Sequence, residues 1–246
     1  MNIRTEKVQL AVEGEAQPMP GYLAIPEGAG PFPAVIVIEE IFGVNGHIRD
    51  VTERVAREGY VAVAPDVHHR DAAGVELKYD QEGMQRGMPL IAKLTEKGVS
   101  GDLRATLSFL RARKDVRGDR VGCMGFCIGG HLAYFAAATT DVKATASFYG
   151  GGIATFTPGG GAPTLNRTQG IKGKILCLFG GQDQAIPKAQ VDAIRVELDK
   201  HHIRHEVVVY PTASHGFFCD QRGSYHEESA KDAWTRVKKL FAEELA

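Results

Sequence analysis

Three side chains in this sequence, Cys127, Asp183 and His215, have the types and the order needed to pass an acyl group through a covalent intermediate. Cys127 lies in Gly125-Phe126-Cys127-Ile128-Gly129-Gly130, entered from Gly122-Cys123-Met124 and left by His131-Leu132-Ala133-Tyr134-Phe135-Ala136. This G-x-C-x-G-G pattern between a strand and a helix reads as a nucleophile elbow with Cys in place of Ser. The central residue is held in a strained turn, so the residues two positions away must lack a Cβ for the helix to pack close to the strand. A thiol at a helix N-terminus is also activated by position, because unpaired N–H groups and the helix dipole favour the thiolate. The bland alternative for Cys127 is a small core residue beside a tight turn.

When a chain orders its catalytic groups as nucleophile, acid and histidine, the last two sit on loops after later strands. Ile175-Leu176-Cys177-Leu178-Phe179 reads as such a strand, and Gly180-Gly181-Gln182-Asp183 follows at its carboxyl end. Asp183 therefore stands where an orienting carboxylate is needed, with an ordinary turn Asp as its alternative. Asp192 and Asp199 fall on the next helix and are expected to face water. The strand His205 to Tyr210 leads through Pro211-Thr212-Ala213-Ser214 to His215, the last-loop histidine. Other histidines invite a metal reading, above all His68-His69, His201-His202 and His205. Adjacent residues on a strand point to opposite faces, and no H-x-x-x-H accompanies a carboxylate on a helix, so neither a metal nor a cofactor is expected. Cys123 and Cys177 should be packing residues inside buried strands, while Cys219 stays open.

The elements that must position these groups alternate between strand and helix. Residues 6–13 and 19–25 alternate apolar with polar around Gly14, Gln17 and Pro18, which predicts an antiparallel hairpin at a sheet edge. Ala34 to Ile38 and Val61 to Ala64 are continuous apolar runs, as in parallel strands covered on both faces, with a helix from Ile48 to Glu58 between them. Downstream the pattern predicts a helix at Gly101–Arg113, strands at Arg120–Met124 and Ala144–Phe148, and a helix after Cys127. It continues with a strand at Lys174–Phe179, a helix at Lys188–His201, a strand at Ile203–Tyr210 and a terminal helix at His226–Leu245. His68–Lys97 and Gly150–Gly173 fit poorly and read as excursions above the strand ends, where open α/β sheets bind ligands. The expected fold class is α/β: a mostly parallel central sheet, helices on both faces and an N-terminal antiparallel hairpin, as one domain over residues 1–246.

Bulk composition narrows the partners. Lys plus Arg total 29 against 30 for Asp plus Glu, so no overall field favours nucleic acid or an anionic membrane, and the partner is expected to be a small molecule. No apolar stretch approaches the roughly 20 residues of a membrane span, and the opening residues lack a signal-peptide core, so a cytoplasmic location is expected. The four cysteines show neither C-x-x-C nor zinc-finger spacing, which argues against a disulfide framework.

These residues together resemble the dienelactone hydrolases, or carboxymethylenebutenolidases, of the α/β-hydrolase superfamily. The resemblance covers nearly the whole chain and rests on Glu40-Ile41-Phe42-Gly43-Val44-Asn45, Ala64-Pro65-Asp66, the Cys elbow, Tyr149-Gly150, Gly180-Gly181-Gln182-Asp183 and Ser214-His215-Gly216-Phe217. It implies a hydrolase of activated esters or enol lactones, with Cys127 as nucleophile and a thioester intermediate. It also implies that Glu40 takes the thiol proton when substrate arrives, while Glu39 points the other way and is structural. Fold logic assigns the oxyanion hole to the backbone N–H groups of Ile41 and Ile128. Members that act on dienelactone hold the substrate carboxylate with two arginines, for which Arg86 and Arg222 are the nearest matches; a solvated surface role is the alternative for each. Phe42 and Tyr149 are the other substrate-binding candidates. Whether Glu40 or His215 first deprotonates the thiol is open.

Two rival functions remain on the sequence. One is a broad carboxylesterase whose pocket has lost the carboxylate anchor; the other is a non-catalytic thiol protein that senses oxidants through Cys127. The sensor has no use for Glu40, Asp183 and His215 in hydrolase order. A dinucleotide site at Gly150-Gly151-Gly152 or Gly159-Gly160-Gly161 fails, because neither opens a helix directly after a strand.

Overall fold

The computed structural model describes residues 1–246. β1 (Ile3–Leu10) exposes Arg4, Glu6 and Lys7, as suits an edge strand, and pairs antiparallel with β2 (Met19–Pro26), Leu10 opposite Met19. The apolar runs β3 (Phe32–Ile38) and β4 (Val61–Pro65) are buried almost throughout. With β5 (Val116–Phe126), β6 (Ala144–Phe148), β7 (Lys174–Gly180) and β8 (His205–Tyr210) they form an eight-stranded sheet of order β1-β2-β4-β3-β5-β6-β7-β8. Only the β1–β2 and β2–β4 pairs are antiparallel; all the others are parallel.

Helices fill the crossovers. α1 (Gly46–Arg57) starts at an Asn45 side chain that accepts the Ile48 N–H at 3.2 Å, and it buries Ile48, Val51 and Val55. The β4–β5 connection carries the short α2 (His69–Ala72), α3 (Gln81–Ile91) and α4 (Glu96–Arg111). α5 (Ile128–Thr139) follows the elbow, a 3₁₀ helix spans Thr164–Gly170, and α6 (Lys188–Lys200) and α7 (Glu227–Leu245) complete the chain. α1 and α7 lie on one face of the sheet, tied by Lys238 and Glu58 at 3.7 Å, and α4 and α5 pack on the other.

Four elements depart from the sequence reading, β1 by lying at Ile3–Leu10 rather than at residues 6–13. α4 begins at Glu96 rather than Gly101, because Thr95 caps it by accepting the Gly98 N–H at 3.0 Å and Val99 lies on its buried face. β5 begins at Val116, since Arg117, Asp119 and Arg120 ride on its half-exposed first half. The excursion after β4 contains α3, which Gly83, Gly87 and Pro89 hide from any propensity count. Those glycines are required by packing: a Cβ at Gly83 would stand 2.0 Å from the Lys78 carbonyl oxygen, and one at Gly87 2.6 Å from that of Ile41.

Candidate active site

The elbow follows from the burial of β5 and α5 against each other. Cys127 takes φ 55 and ψ −119, a left-handed conformation that costs a non-glycine residue about 1–3 kcal/mol and persists only where its surroundings over-determine it. A Cβ at Gly125 would lie 2.0 Å from the Gly129 carbonyl oxygen, one at Gly129 2.3 Å from that of Glu39, and one at Gly130 2.4 Å from that of Phe148. The Cys127 N–H donates to Phe148 O at 3.1 Å, which ties the turn to β6. Cys127 is half-buried, whereas Cys123, Cys177 and Cys219 are buried. The N–H groups of Ile41 and Ile128 donate to no acceptor in the chain.

On the loops after β7 and β8, Asp183 Oδ2 and His215 Nδ1 stand 2.8 Å apart, with the Asp183 side chain fully buried and His215 22% exposed. The other Asp183 oxygen accepts the Ala185 N–H at 2.8 Å, so the carboxylate is fixed at both ends. Burial works against a charged His215, but the neighbouring Cys127 sulfur and Asp183 carboxyl favour the imidazolium more and raise the imidazole above its usual range. Asp192 and Asp199 face water as expected, 50% and 67% exposed.

Glu40 leaves the tip of β3 with no exposed surface, and its Oε1 accepts from Arg222 Nη1 at 3.0 Å. The Arg222 guanidinium lies 5.6 Å from the Phe42 ring centre and 5.4 Å from that of Tyr79. It also lies over Gly216, where a Cβ would come within 2.6 Å of it, so the residue after His215 must be glycine for this arginine to reach Glu40. The second Glu40 oxygen and the Tyr149 hydroxyl are buried without a hydrogen-bond partner.

The description "Dienelactone hydrolase family" fits residues 19–245 of the chain. This chain belongs to the dienelactone hydrolase family. It is 44% identical over 245 residues to a "Putative carboxymethylenebutenolidase" of Synechocystis, covering 100% of both chains. A protein of the same name in Escherichia coli K12 is 36% identical, over 94% of this chain and 84% of that one. The crystal structure of a "Putative Dienelactone Hydrolase" from Klebsiella pneumoniae superposes with a TM-score of 0.88 at 34% identity, covering 99% of this chain and 100% of that one. The chain is thus a dienelactone hydrolase-like hydrolase, of an α/β-hydrolase fold.

Within this family framework the structure brings Cys127, His215, Asp183, Glu40, Arg222, Phe42 and Tyr149 to one end of the sheet, at the carboxyl tips of β3, β5, β6, β7 and β8. Tyr149 has φ 36, and its ring centre is 5.0 Å from that of His215. Burial first, then the nearby Glu40 carboxylate, pushes its phenol well above the usual range. Phe42 is 2% exposed and meets Tyr79 edge to face at 4.6 Å. Arg86 is not brought there: it stands on the outer side of α3, 63% exposed, with Glu82 at 3.5 Å. Its neighbours Met84 and Gln85 line instead a cleft of about 510 Å³ whose other walls include Phe42, Tyr79 and Arg222. Cys219 is held as a thiol, pushed to about 12 by burial and then by Glu40. No group of three or more His, Cys, Asp or Glu side chains is arranged to hold a metal ion.

Sequence reasoning missed Tyr79. Its segment has no periodicity, and only long-range packing sets it against Phe42 and Arg222. It also gave the Arg222 position loosely, since nothing local indicates that a turn at Cys219–Arg222 folds the guanidinium back over Gly216.

Proposed function

We propose that this protein hydrolyses activated esters and enol lactones that carry a carboxylate, with Cys127 as nucleophile, His215 as acid–base and Asp183 as its orienter. The observation that carries the reading is the conjunction of a strained cysteine at a helix N-terminus with a part-buried His215–Asp183 pair at 2.8 Å. At rest Arg222 holds Glu40, so a substrate carboxylate that binds Arg222 competes directly with Glu40 and releases a base beside the thiol. Glu40 takes the Cys127 proton, the thiolate attacks the carbonyl carbon, and the N–H groups of Ile41 and Ile128 hold the oxyanion. Collapse breaks the bond to the leaving oxygen, which departs as an enolate or alkoxide and takes its proton from protonated Glu40 or His215. Water then adds to the thioester, its proton passing to His215, and the thiolate leaves. No cofactor enters this cycle, and the single domain over residues 1–246 and a cytoplasmic site of action belong to the same reading, to which four free thiols are suited.

One observation favours a second reading. With Arg86 turned to solvent and Met84 and Gln85 at the cleft, the site has one cation where a doubly anchored carboxylate needs two, which suits a broader esterase acting on neutral activated esters. Steady-state hydrolysis of dienelactone beside a neutral activated ester decides between them. Cys127→Ala should abolish both activities with the fold retained, and Arg222→Ala should lower dienelactone turnover about 100-fold while sparing the neutral ester. Neutral-ester activity indifferent to Arg222, with no dienelactone turnover in wild type, selects the esterase; full activity in Cys127→Ala overturns both.

A further inference from the structure

In the α3 sequence Gln81-Glu82-Gly83-Met84-Gln85-Arg86-Gly87-Met88 the two glycines mark the buried face, and Gly87 rests on Ile41, whose carbonyl oxygen a Cβ there would approach to 2.6 Å. Gln81, Met84 and Gln85 occupy positions i, i+3 and i+4, one adjoining stripe of the helix, and all three line the cleft of about 510 Å³. Met84 is 38% exposed, so a large apolar side chain is turned toward this cleft instead of the core. The other walls are Phe42 and Tyr79, edge to face at 4.6 Å, and the Arg222 guanidinium, 5.6 and 5.4 Å from their ring centres. Arg222 enters over Gly216, the residue after His215, which places the cationic end of the cleft beside the reacting groups.

The charges are as uneven as the apolar surface. Arg222 is the one cation among the lining residues and Asp80 the one acid. Asp80 stands at the start of α3, where its Oδ1 accepts the Gly83 N–H at 2.8 Å. An anion fits the Arg222 end and meets a carboxylate at the α3 end, where Met84 offers apolar contact. We propose that the cleft is a subsite for the far part of a monoanionic substrate: Arg222 takes its single carboxylate, Met84 with Phe42 and Tyr79 takes an alkyl or aryl group, and Asp80 rejects a second carboxylate. An unbranched thioether adapts to many outlines and packs well on aromatic rings, so the subsite selects for length and polarity more than for one shape.

This inference rests on the reading of Arg222 as the partner of a substrate carboxylate, and its test needs no turnover. Dissociation constants are measured by titration calorimetry on the intact protein for acetate, hexanoate, hexanamide and adipate. Hexanoate should bind about 10-fold more tightly than acetate, short of full burial because the cleft is open to solvent. Adipate, equal in length but with a second carboxylate in place of the methyl group, should bind no more tightly than acetate. Met84→Ala, which suits an exposed helix position, should weaken hexanoate about fivefold and leave acetate within about twofold. Met88→Ala, one turn on and outside the cleft lining, should change neither. Asp80→Asn keeps the helix cap and should tighten adipate about fivefold without moving hexanoate. Equal binding of hexanoate and acetate, a hexanoate preference that survives Met84→Ala, or adipate binding as tightly as hexanoate overturns the subsite. Hexanamide separates the two failures: binding as tight as that of hexanoate sinks the reading of Arg222 as a carboxylate partner, whereas weak hexanamide binding beside equal acetate and hexanoate sinks the subsite alone.

Discussion

Glu39 and Glu40 are consecutive, identical in type and both without exposed surface, yet the two sides of the β3 tip treat them differently. On the far side Glu39 takes a backbone N–H, and burial, with Asp66 beside it, pushes its carboxyl well above the usual range. On the cleft side Glu40 meets a guanidinium at 3.0 Å that is itself 14% exposed and so within reach of a ligand. A buried carboxyl is expensive in either place. In the proposed cycle, one is held by a partner no substrate can displace, and the other by a partner that a substrate carboxylate can take over. Position relative to the sheet, and not residue type, separates a group that holds from a group that moves.

The largest effect expected from breaking this comparison is on the cleft side. Arg222→Met leaves Glu40 buried beside an apolar chain and should destabilise the fold by about 3 kcal/mol in urea titration, most of it recovered when Glu40→Gln is added. No recovery in the double variant would mean that the arginine matters through its packing on Phe42 and Tyr79 instead. Next, Glu40→Gln alone should lower kcat for dienelactone by about 100-fold. Measured beside the rate of Cys127 alkylation by iodoacetamide at neutral pH, it shows whether Glu40 or His215 makes the thiolate, since unchanged alkylation would assign that task to His215.

The smallest effect is on the far side. Glu39→Gln should shift stability at about pH 4, where both side chains are neutral, by no more than about 1 kcal/mol, because the amide oxygen still accepts from Val67. The pH dependence is sharper. A carboxyl raised in the folded state contributes stability in full below its unfolded pKa of about 4.3, and loses it as pH rises through the folded value. Wild type should therefore lose stability relative to Glu39→Gln as pH rises above about 4.3 in urea midpoints; parallel curves would show that Glu39 ionises freely.

Much of this molecule was legible before any coordinates. The β3, β4, β6 and β7 runs, the elbow glycines and the order Cys127, Asp183, His215 all express local rules: continuous apolar strands, residues without Cβ where backbone meets backbone, and loops after strands. α3 was illegible because Gly83, Gly87 and Pro89 oppose helix propensity while serving contacts with Lys78 and Ile41 that are distant in sequence or in another element. Arg86 was a natural candidate by position, but a one-residue change of place on a helix turns a side chain by about 100°, enough to exchange the cleft for solvent.

The sequence by itself determined the sheet, the strained cysteine and the residues available for acyl transfer, because these depend on periodicity and on steric needs confined to a few neighbouring residues. Only the tertiary structure decided that Arg222 rather than Arg86 faces the cleft, that Tyr79 closes it, and that Glu39 and Glu40 part company. Each of those outcomes is an ion pair or contact between segments far apart in the chain, such as Glu40 with Arg222, and its geometry exists only once the strand tips have been brought together.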